Sequence, residues 1–152
     1  MAKRRPRRSD PVAEWRARME AAVARTDGLI REHADAAMVL AIQDDGDQGY
    51  DTFVGGCGHP VHIQGLMLAA CDYYVREDSI VSEETDELRA QAVRKSCAEM
   101  SGLAEHGVIA IPATSDGTSV YVQHLGSELV VTEAVKQMDE LLKSPKPRRK
   151  RS

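Results

Sequence analysis

The sequence predicts an α+β domain made of two tandem helix-hairpin-helix units (αββα-αββα), whose hairpins join in a four-stranded antiparallel sheet packed with helices. Three observations predict it. Apolar residues recur at three- and four-residue steps in four stretches, which is the helical period. Short apolar, β-branched runs sit on either side of two Asp-Gly dipeptides, a hairpin signal. The order helix, strand, Asp-Gly turn, strand, helix then occurs twice.

Each element has a local reason. Asp10-Pro11 opens the first helix, with Asp as N-cap and Pro at the first helical position. Val12, Trp15, Met19, Val23, Thr26 and Ile30 make its apolar stripe, which runs to about His33. Met38 to Ile42 is a short apolar run suited to a buried strand. Asp45-Gly46 turns the chain, Tyr50 to Val54 returns it, and Gly55-Gly56-Cys57-Gly58 ends the strand. Pro60 opens a helix with Ile63, Leu66, Met67, Ala70, Cys71 and Tyr74 on one face. Ser82, followed by Glu83 and Glu84, predicts the cap of a third helix that buries Leu88, Ala92, Val93, Met100 and Leu103. Val108 to Ile111, the Asp116-Gly117 turn and Val120 to Val122 form the second hairpin. Ser127 caps a fourth helix with Val131, Ala134, Val135, Met138, Leu141 and Leu142 on one face, and Pro145 stops it.

The repeated order predicts an internal duplication over residues 10–77 and 82–143. Val39-Leu-Ala-Ile42 aligns with Val108-Ile-Ala-Ile111, 69 positions on. A lone hairpin is marginal in water, and joining two in one sheet removes that weakness.

With 152 residues, 42% of them hydrophobic, the chain makes one domain with a core. Only 4% are aromatic, so burial rests on aliphatic side chains and methionine. The net charge of −4 conceals a segregated distribution. Residues 12–142 carry nine basic and 23 acidic side chains, a net −14. Residues 1–11 carry +4 and residues 143–152 carry +6. The expected organisation is a disordered basic arm at 1–9, an acidic α+β body at 10–143 and a second disordered basic arm at 144–152. Lys3, Arg4, Arg5, Arg7, Arg8, Lys146, Arg148, Arg149, Lys150 and Arg151 are the candidate nucleic-acid contacts, since clustered cations neutralise phosphates and release counterions. The arms hold no aromatic ring for base stacking. They could equally fold back on the acidic body. Pro145 to Arg151 also resembles a nuclear import signal, but the Ala-, Arg-, Asp- and Gly-heavy usage reads as bacterial or phage.

Three cysteines, an odd number, do not make a disulfide framework and fit reduced thiols in a cytoplasmic protein. No apolar segment follows the basic start, so export is not expected. The longest uncharged run, Thr52 to Cys71, contains four glycines, Pro60, His59, His62 and Gln64, and is unsuited to a membrane span.

The densest chemistry lies in Gly55-Gly56-Cys57-Gly58-His59-Pro60-Val61-His62. Cys57, His59 and His62 are candidate metal ligands by type, although the spacing is not a standard zinc pattern and a fourth ligand would have to come from Cys71, His106 or His124. Cys57 near a helix start is also a candidate nucleophile. Cys71 and Cys97 fall on apolar stripes and read as core thiols. Counted from Asp45, an EF-hand would need Gly at Tyr50 and Glu at Gly56, so the acidic loop is a solvated turn. No phosphate-binding loop, dinucleotide fingerprint, nucleophile elbow or metalloprotease motif is present.

The expected function is therefore non-enzymatic. A bacterial or phage interaction or regulatory protein would dock a protein partner through its acidic body and touch nucleic acid through its arms, with no cofactor. The alternatives are a small metal- or thiol-dependent enzyme centred on Cys57, His59 and His62, an acidic body that imitates DNA, and a structural component, with a homodimer among the possible assemblies.

Overall fold

The computed structural model describes residues 10–44, 49–76, 81–82, 84–114 and 119–143; the side chains of Val81 and Lys143 are outside that description. The elements follow in the order α1 (Pro11–Arg31), β1 (Ala37–Asp44), β2 (Tyr50–Cys57), α2 (Pro60–Cys71), β3 (Val81–Ser82), α3 (Glu87–Ser101), β4 (His106–Pro112), β5 (Val120–Leu125) and α4 (Glu128–Lys143). A π-helical turn, Asp72–Arg76, continues α2. Both Asp-Gly turns, at 45–46 and 116–117, lie outside the described residues, as do both terminal arms.

The sheet order is β2-β1-β4-β5-β3. β1 pairs antiparallel with β2 (Ala37 opposite Cys57, Asp44 opposite Tyr50) and with β4 (Met38 opposite Ala110). β4 pairs antiparallel with β5, Gly107 opposite Leu125. The four-stranded antiparallel sheet is as expected. A fifth strand was not: β3 lies parallel against β5, with Val81 opposite Val120 and Ser82 opposite Tyr121.

Helices cover both faces. On one, Trp15, Met19, Val23 and Ile30 of α1 and Val93, Cys97 and Met100 of α3 pack on Val39, Ala41, Ile109 and Ile111. On the other, Leu66, Ala70, Cys71 and Tyr74 pack with Val131, Val135 and Met138 of α4 on Met38, Leu40, Ile42, Val108 and Ala110. Alternate side chains of the two central strands therefore enter different cores. That is why Met38–Ile42 and Val108–Ile111 read as unbroken apolar runs rather than alternating ones.

The same alternation corrects the sequence alignment. Val39 lies in the α1/α3 core and Val108 in the α2/α4 core, so the match at 69 positions sets opposite faces against each other.

Capping follows the sequence in three of the four helices. The Asp10 carboxylate accepts from the Val12 N–H at 3.0 Å, His59 accepts from the Val61 N–H at 3.2 Å, and Ser127 Oγ accepts from the Val130 N–H at 3.5 Å. The third helix differs. Asp86 is its cap, accepting from the Arg89 N–H at 2.9 Å, and the Arg89 contacts hold its carboxyl below the usual carboxylate range. Ser82 instead lies in β3, where its hydroxyl accepts from the Glu84 N–H at 3.1 Å. The later start leaves Leu88 in the first turn and exposed rather than buried. Leu141 and Leu142, expected on the apolar face of α4, are also exposed.

β2 runs three residues past its expected end, through Gly55, Gly56 and Cys57. The glycines permit this instead of breaking it. A Cβ at Gly56 would stand 2.0 Å from the Ala37 carbonyl oxygen, so only glycine lets β1 and β2 pair this closely here.

Candidate functional site

The Gly55–His62 segment was the main candidate; the structure buries its thiol and leaves its two histidines beside each other at the surface. Cys57 is buried at the end of β2, in the α1/α3 core. Gly58, at φ 99°, then turns the chain, and a Cβ there would meet the Asp35 carbonyl oxygen at 2.5 Å. His59 spends Nδ1 on the α2 cap. His62 lies on the exposed side of α2, its ring 5.9 Å from that of His59. Among the described residues, no three His, Cys, Asp or Glu side chains are grouped to hold a metal ion.

The thiols are poorly activated. Burial, followed by a hydrogen bond to Asp27 and the charge of that carboxylate, pushes Cys57 up to about 11, only partly opposed by Arg31. Cys71 and Cys97 are likewise pushed up to about 11, chiefly by burial. All three are free and protonated at neutral pH, the opposite of the low-pKa thiolate a nucleophile requires.

The remaining histidines sit apart. The Ser127 N–H donates to His106 Nδ1 at 2.9 Å, which fastens the turn before α4. His124 is exposed on β5. His33 borders, with His62, Arg31 and Arg89, a cleft of about 770 Å³ between the end of α1 and the start of α2. Arg89 is tied to the Asp86 carboxylate.

The surface that sequence reasoning missed is the outer side of β2. Among the described residues, no strand pairs with it, whereas β3 covers the corresponding side of β5. Arg16 Nε of α1 donates to the Thr52 carbonyl oxygen at 3.1 Å. That bond marks the Thr52 backbone as pointing away from β1. Backbone direction alternates along an antiparallel strand, so Val54 and Gly56 also turn their polar groups outward. Natural edges are usually blunted by charged side chains, above all lysine, by proline or by a bulge; Tyr50–Cys57 contains one charge, Asp51, and neither lysine nor proline.

A groove runs between this edge and α1. One hollow, about 490 Å³, is lined by Glu20, Val23, Ala24 and Asp27 against Phe53 to Cys57. The next, about 560 Å³, is lined by Ala13, Arg16, Ala17 and Glu20 against Thr52 to Val54. Ala13, Ala17 and Ala24 leave the space, and Glu20 borders both hollows. The sequence signal for this was the small-residue face of the first helix opposite a strand whose one charge is Asp51, legible only once the two were known to be neighbours.

Among the described residues, no helix is long and apolar enough to cross a membrane. No known protein family, curated protein or solved structure matches the chain.

Proposed function

We propose that the protein is a non-enzymatic interaction protein of bacterial or phage type, whose acidic body docks a protein partner while its basic arms contact nucleic acid. The observation that carries the docking half is the unpaired outer side of β2 with its α1 groove, a ready site for another chain. The protonated, buried Cys57 and the capping role of His59 favour this reading over catalysis at that segment. The arms rest on charge alone, with +4 at residues 1–11 and +6 at 143–152 flanking a −14 body.

Two measurements test it. A photo-crosslinker placed at Val54 in the full chain should trap one discrete protein from native extract, while the same group at Glu133 on α4 should trap none; equal or absent adducts would sink the docking half. Retention on heparin should fall with salt and disappear when residues 1–9 and 144–152 are removed. Unchanged retention would assign the binding to the body instead.

We infer in addition that the body is an internal duplication, with a corrected alignment. Ala22, Val23, Thr26, Ile30 and Ala34 correspond to Ala92, Val93, Ser96, Met100 and Ala104, 70 positions on, and all ten are buried. Thr26 and Ser96 each return their hydroxyl to a carbonyl of the preceding helical turn. The Ala34 N–H donates to Ile30 O, as Ala104 does to Met100 O. Beyond the hairpin turns the offset becomes 68. Gly58 and Gly126 both have positive φ, His59 and Ser127 both cap, and Leu66 and Ala70 answer to Ala134 and Met138. The offset changes by two between the paired strands of the hairpins.

A further inference from the structure

We propose that the β2 edge takes an extended, cationic segment of its partner as an added strand. This rests on the docking reading above and specifies what is docked and how.

Backbone geometry sets the mode. Thr52, Val54 and Gly56 present alternate N–H and C=O groups outward, the pattern to which an extended chain pairs in strand addition. α1 stands beside these groups. Its stripe of Ala13, Arg16, Ala17, Glu20, Ala24 and Asp27 borders two hollows, which suit an extended chain that directs every second side chain into them.

Charge sets the chemistry. Glu20 lies between the two hollows and Asp27 stands at the far end, so side chains directed toward α1 meet carboxylates. Lysine and arginine fit, with their aliphatic stems against the alanines and Phe53. The field of the whole body, net −14, draws such a segment in. The same charge opposes a second copy pairing edge to edge, since two Glu20-bearing grooves and two acidic bodies would be brought together. Arg16 completes the device. When the edge is empty its guanidinium satisfies Thr52 O from an exposed, movable side chain. An incoming strand displaces it and takes over that carbonyl.

The test uses the full chain and a short synthetic peptide alternating lysine with valine, beside its glutamate-for-lysine twin. Amide exchange of Thr52, Val54 and Gly56 should slow at least about tenfold with the lysine peptide and not with the twin, a difference of about 1.4 kcal/mol or more. Reversing Glu20→Lys and Asp27→Lys should weaken binding by at least about tenfold. Arg16→Ala should tighten it by a few fold, and Val54→Pro should abolish it. Val54→Pro removes an outward N–H and no bond to β1; if that variant fails to fold, the Arg16 and Glu20 variants still decide. Equal protection by both peptides, binding insensitive to all these changes, or peptide-independent dimerisation through β2 overturns the proposal. A crosslink to a partner at Val54 without peptide protection would leave docking standing and remove only the cationic-strand assignment. Failure of both removes both.

Discussion

The two ends of the sheet began as similar hairpin strands and finish differently. β2 and β5 are each the outer member of an antiparallel hairpin, each followed by a positive-φ glycine and a capped helix. β5 is then covered by β3, and its Val120 and Tyr121 are buried. β2 keeps its outer side, and its Val54 is 42% exposed. The comparison teaches that the fold can close such an edge with as few as two residues supplied ahead of the following helix. The segment between α2 and α3 does this for one hairpin only. An edge with no pairing strand among the described residues, and with neither lysine nor proline in it, is the asymmetry on which the functional reading is built.

The largest effect should come from the helix that walls the open edge. Trp15 is buried, and its indole N–H donates to Leu103 O at 2.6 Å. In the proposed duplication its counterpart ahead of α3 is Thr85, whose hydroxyl donates to Ala113 O at 2.7 Å. Trp15→Ala should cost about 3–5 kcal/mol and Thr85→Ala about 1 kcal/mol in chemical denaturation. Similar costs would show that the first unit has no special anchor. Next, Gly58→Ala and Gly126→Ala should each lose about 2–4 kcal/mol, because each combines positive φ with a Cβ within 2.5 Å of a backbone oxygen. A large difference between them would break the equivalence of the two turns.

Proline separates the edges directly. Val122→Pro, on the strand covered by β3, should cost about 2 kcal/mol or more, and Val54→Pro less than about 1 kcal/mol. Equal losses would mean that β2 is paired as β5 is. The two cores can be compared by pH. Cys57 and Cys97 in one and Cys71 in the other are raised to about 11, above the ordinary 9.0. Unfolded thiols ionise first, so this stabilisation is whole below about pH 9 and is lost as pH rises toward 11. The slope is at most about 1.4 kcal/mol per pH unit for each thiol. Cys97→Ala and Cys71→Ala should each flatten the decline in denaturation midpoint between pH 9 and 11; no change on either would show that thiol accessible when folded. The smallest effect is Arg16→Ala, within about 0.5 kcal/mol of the parent stability. A larger loss would make Arg16 structural rather than a removable cover for Thr52.

Much of the architecture was legible. Helix periodicity and the Asp10, His59-Pro60 and Ser127 boundaries located three helices, because caps and stripes are local physics. The third helix began four residues later than Ser82 predicted, since Ser82 was taken by β3, a long-range pairing with no local mark. Gly55-Gly56 read as a strand end because glycine usually weakens strands; here a neighbouring carbonyl demanded it. The four-residue match misled by one position because central strands buried on both faces carry no alternation to set the register. As for the site, Cys57, His59 and His62 were near in sequence but end in a core, in a cap and on an exposed face. A strand-to-helix turn spreads neighbouring side chains in different directions.

By itself the sequence determined which segments could be helix or strand, the doubled order of those segments, and the separation of a −14 body from cationic ends. These follow from periodicity, capping and charge, which act over a few residues or simply add. Only the tertiary structure decided that both sheet faces are covered, that β3 closes β5, and that α1 stands beside a β2 whose outer side meets no strand among the described residues. Those outcomes depend on pairings between residues tens of positions apart. A strand's outer hydrogen-bonding groups are the same atoms in every sequence, so whether they meet a neighbour is settled by the fold.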